Sequence, residues 1–206
     1  MSLTKEINKE QLIYSAAQSV FLKKGLSETT MQDIAIEAGM SRTALHYYFR
    51  NKDKLFETFF MEAINNTLPK INETISKEMP LAEKIVEIAN NYLDLLHHNQ
   101  QLPGFVATEI QRDPSAIIKF IKEKSQVINF SSVREQIDRE VAEGKIRPFE
   151  ISQLVLCVAS LCIFPFICRP IIDTFLLTEE PDTFDTFIED RKKVVGEMIS
   201  QWLTIK

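Results

Sequence analysis

Thr29-Thr30-Met31-Gln32-Asp33-Ile34-Ala35-Ile36-Glu37-Ala38-Gly39-Met40-Ser41-Arg42-Thr43-Ala44-Leu45-His46-Tyr47-Tyr48-Phe49-Arg50-Asn51-Lys52 is the stretch on which the fold turns. Thr30 stands three residues before Asp33, an acidic variant of the capping box, and Met31, Ile34, Ala35 and Ala38 give the short helix it opens one buried face. Gly39 stops that helix. Ser41 then suits the N-cap of a second short helix through Ala44, Leu45 and Tyr48, and Asn51 closes it while capping the next. Two short helices joined by a glycine-containing turn of three to four residues have the helix-turn-helix layout. Ala35 supplies the small residue where the two cross, and Leu45 the apolar knob opposite it. An ordinary helical hairpin within a bundle uses similar residues, so the polar side chains decide between the two.

Arg42, Thr43, His46 and Tyr47 face away from the expected packed side, Ala44, Leu45 and Tyr48 or Phe49, and all four carry donors suited to phosphates or base edges. A purely structural helix has no use for that set. Lys52 and Lys54 fall in the first turn of the following helix, where the macrodipole disfavours cations, and a nucleic-acid phosphate at that helix start accounts for them. With Arg42 and Arg50 they make four cations between residues 42 and 54 against a single acid, Asp53.

Upstream, Leu12, Ile13, Ala16, Ala17, Val20 and Phe21 form one helical stripe that ends near Lys24, with Gly25 as a left-handed cap. Downstream, apolar residues recur at three- and four-residue spacing, and no stretch alternates with period two for long enough to make a strand. The predicted fold class is all-α: a three-helix N-terminal helix-turn-helix domain, residues 1–51, and a larger helical domain, residues 52–206, which a family resemblance makes a ligand-binding and dimerisation domain. The chain of 206 residues carries a net charge of −5. Its first sixty residues hold eight Lys/Arg against seven Asp/Glu, so the acidity lies in the larger C-terminal part. The longest apolar run, Leu154 to Ile167, is short for a membrane span and contains Ser160 and Pro165, and no signal pattern opens the chain. Cytoplasmic residence and no membrane partner are expected. Cys157, Cys162 and Cys168 lack CxxC spacing and read as buried thiols in a reducing compartment.

At Thr29 to Ala35, Ala38 to Ser41 and Leu45 to Leu55 the sequence resembles the tetracycline-repressor (TetR-like) family of transcription regulators. The match is specific over about residues 12–60 and architectural beyond. The resemblance implies phosphate contacts by Thr30, Tyr47 and Lys52 and base contacts by Arg42 and Thr43; Ser41 and His46 complete the expected DNA-binding surface. Two positions depart from the family: His46 stands where tyrosine or tryptophan is usual, and Tyr48 where histidine is common. A small residue is also frequent at the position of Thr43, so the base contacts differ from those of better-known members. The implied partners are a double-stranded, palindromic DNA operator, a second copy of the chain, and a small-molecule effector; no cofactor and no metal are expected.

In the C-terminal part, a helix from Lys52 to about Leu68 precedes Pro69, another spans about Leu81 to His98, and a short one about Phe105 to Arg112. A long helix is expected from Ile117 through Ile137 toward Gly144, then a nearly all-apolar one over Ile151 to Cys168, and a last amphipathic one from Phe184 to Trp202. A helix apolar all round must be covered on every side. A second copy is the simplest cover, giving a four-helix isologous interface with Val155, Val158, Phe187, Val195, Met198 and Trp202 in it. Phe59, Tyr92, Phe105, Phe120, Phe130 and Phe164 are candidates to line an effector pocket, which the family resemblance implies among the middle helices. Pro165 can bend its helix and open such a cavity. An enzyme using Cys162 or His97 lacks any nucleophile, base and orienter set, and His97-His98 at a helix C-terminus is better explained by the helix dipole than by a metal. A helical scaffold that no longer binds DNA leaves the Arg42, Thr43, His46 and Tyr47 set without a purpose.

Overall fold

The structure is a computed structural model that describes residues 2–65, 68–115, 117–119, 122, 129–177 and 183–204, with side chains from residue 9 onward apart from 59–65. Its helices are α1 (Ser2–Glu28), α2 (Met31–Glu37), α3 (Arg42–Tyr48), α4 (Lys52–Asn65), α5 (Leu68–Ser76), α6 (Leu81–His98), α7 (Leu102–Arg112), α8 (Phe130–Ala142), α9 (Ile151–Ile167), α10 (Arg169–Phe175) and α11 (Phe184–Leu203). There is no strand among the described residues. The chain forms two compact units, residues 1–65 with 104–123, and residues 66–103 with 124–206.

In the first unit α1 packs on α2 and α4, and α2 on α3. The stripe read from the sequence supplies the core: Ile13, Ala17, Val20 and Phe21 are buried with Ile34, Ala35, Leu45, Leu55 and Phe56. Two edge-on ring pairs pin the outer helices to α1, Phe21 on Phe56 at 5.8 Å and Tyr14 on Phe49 at 5.0 Å. Gly25 breaks α1 as expected, at φ 79° and ψ 168°, a backbone region essentially reserved for glycine, and the chain turns helically once more before Thr29.

In the second unit α6 is the spine, packed against α11, α9, α5 and α8. Its Leu81, Ile85, Ala89, Leu93 and Leu96 meet Val133 and Ile137 of α8, Leu154, Cys162 and Phe166 of α9, and Ile188, Val195, Ile199 and Leu203 of α11. Pro80 cannot cap α6 with a side chain, and Glu140 does so from α8, accepting the Leu81 N–H at 3.0 Å. Beside it the buried Lys84 ammonium donates to the Ile75 carbonyl and to Gln136 Oε1, both at 2.7 Å. Burial lowers the Lys84 pKa and the Glu140 charge opposes that shift.

Three expectations need correction. The helix from Lys52 is described as far as Asn65, and Pro69 lies in the first turn of a second helix, α5, where its missing N–H costs nothing. The long helix toward Gly144 is not continuous, because Asn129 leaves helical geometry and accepts the Ser132 N–H at 3.3 Å as the N-cap of α8. Of the three cysteines only Cys162 is buried, Cys157 being exposed and Cys168 half-buried.

Pro165 sits inside α9 without stopping it. Proline cannot donate to the carbonyl four residues back, that of Leu161. Arg191 of α11 reaches across and donates to this carbonyl from Nε at 3.3 Å and Nη2 at 3.1 Å. After Cys168 the chain bends by 63° into α10, and no single described helix is long and apolar enough to cross a membrane. Replacing Arg191 by Leu is expected to cost about 1–3 kcal/mol, and most of that cost is expected to vanish when Pro165→Ala restores an N–H at position 165. A double-mutant cycle of denaturant unfolding measures the coupling; additive effects would contradict the donor-replacement role.

Candidate nucleic-acid interface

Helix α2 opens with a reciprocal cap. Thr30 Oγ1 accepts the Asp33 N–H at 3.1 Å, and Asp33 Oδ2 accepts the Thr30 N–H at 3.0 Å. Lys24, at the end of α1, donates to Asp33 Oδ1 at 2.6 Å. The Lys24 ammonium first, and then the two Thr30 donors, hold the Asp33 carboxyl down at about 2. Ser19 and Lys23 bind Glu37 at the other end of α2, at 2.7 and 3.1 Å. The first helix of the motif is thus tied to α1 at both ends.

Gly39 turns the chain with φ 63°, and the Met40 N–H returns to the Ala35 carbonyl at 3.0 Å. Ser41 Oγ accepts the Ala44 N–H at 3.1 Å and opens α3. Leu45 and the C-cap residue Phe49 hold α3 in the core. Ala44 is exposed, contrary to expectation, and Phe49 rather than Tyr48 makes the buried contact, because α3 ends at Tyr48 and the extended Phe49 swings its ring onto Tyr14. Thr30, Ser41, Arg42 and Thr43 are exposed, His46 is half-buried, and Tyr47 is 79% exposed with its ring edge-on to Tyr48 at 5.2 Å. The side chains singled out on α3 and at the start of α2 are thus open to solvent, His46 in part.

Lys52 has an additional task. Its Nζ donates to the carbonyls of Leu26, Ser27 and Thr29 at 2.7, 2.9 and 2.9 Å. All three protons of the ammonium are committed, so a phosphate reaches it only by displacing a carbonyl. The turn it gathers is also held by α7: Arg112 Nη1 donates to the Lys24 carbonyl at 2.6 Å, and Glu109 Oε2 accepts the Leu26 N–H at 3.1 Å. A side chain at Gly25 would collide with both Arg112 and Glu109. The sequence carries no signal for this clamp, since Glu109 and Arg112 look like the polar face of any short helix.

Four of the six pocket candidates have described side chains, one in the first unit and three in the second. Phe105 belongs to the first unit, buried with its ring 5.9 Å from Phe56. Tyr92 lies in the second unit, where burial pushes its hydroxyl pKa up to about 12. Phe130 and Phe164 open outward, Phe164 with 62% of its surface exposed. Phe59 and Phe120 lie outside the residues whose side chains are described. Helical phase shows which residues share a face, but in α9, apolar nearly all round, it does not show which face is inward.

Of the interface candidates, Val155 of α9 and Met198 of α11 are exposed, as are their neighbours Leu156 and Val194. Val158, Phe187 and Trp202 are half-buried. Val195 is fully buried in its own chain, so it supports this face from beneath and offers a partner no contact. Burial pushes the Cys162 thiol up to about 12, as befits an inert core cysteine. His97 Nε2 lies 3.2 Å from Asp185, and among the described residues no three His, Cys, Asp or Glu side chains gather to hold a metal.

Residues 13–59 match the profile of the family described as bacterial regulatory proteins, tetR family. The probable HTH-type transcriptional regulator YttP of Bacillus subtilis is 25% identical over 192 residues, which cover 89% of this chain and 90% of that one. The fatty acid metabolism regulator protein of the same organism is 23% identical over 100 residues, 48% of this chain and 52% of that one. Among solved structures, the ketosteroid transcriptional regulator KstR2 of Mycobacterium tuberculosis superimposes with a TM-score of 0.70 at 15% identity, over 97% of this chain and 96% of that one. A tetR-family regulatory protein from Rhodococcus does so with a TM-score of 0.69 at 18% identity, over 96% and 98%. These structures share the fold.

Two outcomes test the interface geometry. Lys52→Met leaves three turn carbonyls without their cation and is expected to lower stability by about 1–3 kcal/mol, read as thermal unfolding without DNA; an unchanged midpoint would reduce Lys52 to a surface cation. An unfolded aspartate protonates near 3.8, whereas folded Asp33 stays ionised down to about 2. Its contribution is therefore full above about pH 4 and lost as pH falls toward 2. Asp33→Asn is expected to flatten the acid limb of the stability profile in that window and leave the shape above it unchanged.

Proposed function

We propose, from the match of residues 13–59 to the tetR family of bacterial regulatory proteins, that the chain is a repressor released from its operator by a small apolar or amphipathic molecule. The observation that carries the DNA-binding part is the donor set Arg42, Thr43 and Tyr47, exposed on a short helix that Leu45, Phe49 and the Ser41 cap hold rigidly. Arg42 and Thr43 read base edges, while Tyr47, Thr30 and Ser41 position phosphates, with His46 at the margin. Lys52 contributes chiefly by fixing the turn that delivers α2.

The exposed apolar face of α9 and α11 fits a second copy of the chain, which gives two recognition helices for half-sites about 34 Å apart on a palindromic operator. Functionally the chain divides into a reading domain, residues 1–51, and a sensing and dimerising domain, residues 52–206. Response to an apolar effector is supported by relatives named for fatty acid and ketosteroid regulation. Within the first unit, helix α7 places Glu109 and Arg112 on the turn before α2. An effector that prefers one position of α7 thereby biases the recognition helices. The reading assigns the protein to the cytoplasm and gives it no catalytic step.

Titration of the purified chain against DNA upstream of its own gene and against a scrambled duplex, at two salt concentrations, tests this. A preference of about 10³ or more is expected, with two chains per site and affinity falling as salt rises. Arg42→Ala is expected to cost about 1–3 kcal/mol and relax specificity at one or two base pairs. No preferred sequence, even after selection from random oligonucleotides, would sink the proposal.

A further inference from the structure

Ala44 lies open to solvent on α3, in a row with Ser41, Arg42 and Thr43, although its apolar side chain suits a packed position. The helix gives the reason. Successive side chains of an α-helix are about 100° apart, and Leu45, with none of its surface exposed, fixes which direction is inward. Thr43 and Tyr47 then point away from the core, and Ala44 lies on the flank between them and Tyr48. Its backbone N–H is taken by Ser41 Oγ at 3.1 Å. What Ala44 offers an approaching molecule is therefore a methyl group, set among side chains that carry hydrogen-bond donors.

A helix that reads DNA lies in the major groove with its exposed side chains against the base edges. The floor of that groove presents nitrogen and oxygen donors and acceptors at every base pair, and one kind of apolar group, the 5-methyl of thymine. A methyl pressed against a polar edge strips water from it and returns no hydrogen bond, which is costly. Pressed against another methyl it forfeits no hydrogen bond, and both apolar surfaces leave water. We propose that Ala44 is a specificity-determining residue that reads the 5-methyl group of one thymine in each half-site of the operator. Arg42 and Thr43 take the hydrogen-bonding edges beside it. The position that meets Ala44 thereby discriminates thymine from cytosine, whose amino group would face the methyl unpaired. This role rests on the DNA-reading role proposed for α3 and adds a base preference to it.

The operator is first selected from random duplexes with the full chain; if no sequence is selected, the DNA-reading role fails and the thymine contact with it. Each thymine of one half-site is then replaced in turn by uracil, which removes the 5-methyl and keeps every hydrogen-bonding atom. One of these duplexes is expected to bind about three- to fivefold more weakly than the thymine parent, roughly what burial of one methyl gives. Ala44→Gly removes the side-chain methyl and is expected to bind the two duplexes alike, so that the two deletions couple instead of adding. Should glycine unfold α3, Ala44→Ser keeps the helix, puts a hydroxyl on the methyl and is expected to lose the same discrimination. Thr43→Ser, which removes the neighbouring methyl and keeps its hydroxyl, is expected to retain it. With an operator in hand, the thymine contact alone is overturned by a half-site without thymine, by wild-type binding to every uracil duplex as tight as to the parent, by discrimination that survives in both Ala44 variants, or by its loss in Thr43→Ser instead.

Discussion

The turn from Lys24 to Thr29 is the constraint on which the N-terminal unit depends. It joins the long α1 to the helix-turn-helix, and its carbonyls have no helical successor to bind. Lys52 collects three of them, Arg112 takes a fourth, Thr29 returns its own hydroxyl to the Gly25 carbonyl at 2.6 Å, and Glu109 receives the one N–H that points the other way. Gly25 permits the arrangement twice, by adopting a backbone conformation closed to other residues and by leaving room for α7. Because α2 begins directly after this turn, its position is set here, and α3 follows through Gly39.

The same rule, that a backbone group without a helical partner is met by a side chain from elsewhere, organises the second unit. Pro80 leaves the start of α6 uncapped, and Glu140 supplies the acceptor; Pro165 leaves the Leu161 carbonyl bare, and Arg191 supplies the donor. Each substitution ties two helices that apolar packing alone leaves free to slide. The apolar side chains left open on α9 and α11 are a different matter, since among the described residues Val155, Leu156, Val194 and Met198 stay exposed. A second copy covers them in the proposed dimer.

Local chemistry was readable wherever a residue acts within its own few neighbours. The Thr30 and Asp33 cap, the Gly39 turn, the Ser41 and Asn51 caps and the Leu45 knob were all legible, as were the spans of α6 and α11. Legibility failed for α8, where residue spacing alone suggested continuity through Asn129, and for α9, whose even hydrophobicity hides its orientation. Lys52 was found for its charge, and the tertiary structure gave that charge a different immediate task.

The sequence by itself determined an all-α chain with a DNA-reading motif at residues 29–52, because capping, helical periodicity and the donor set on α3 are short-range properties written in adjacent residues. Only the tertiary structure decided that Glu109 and Arg112 close on residues 24–26, that Arg191 makes up for Pro165, and that Phe164 faces outward while Val195 does not. The reason is physical: those partners lie from 30 to 88 residues apart along the chain, and no local preference marks which distant side chain will meet an unpaired backbone group. That match is made when helices pack.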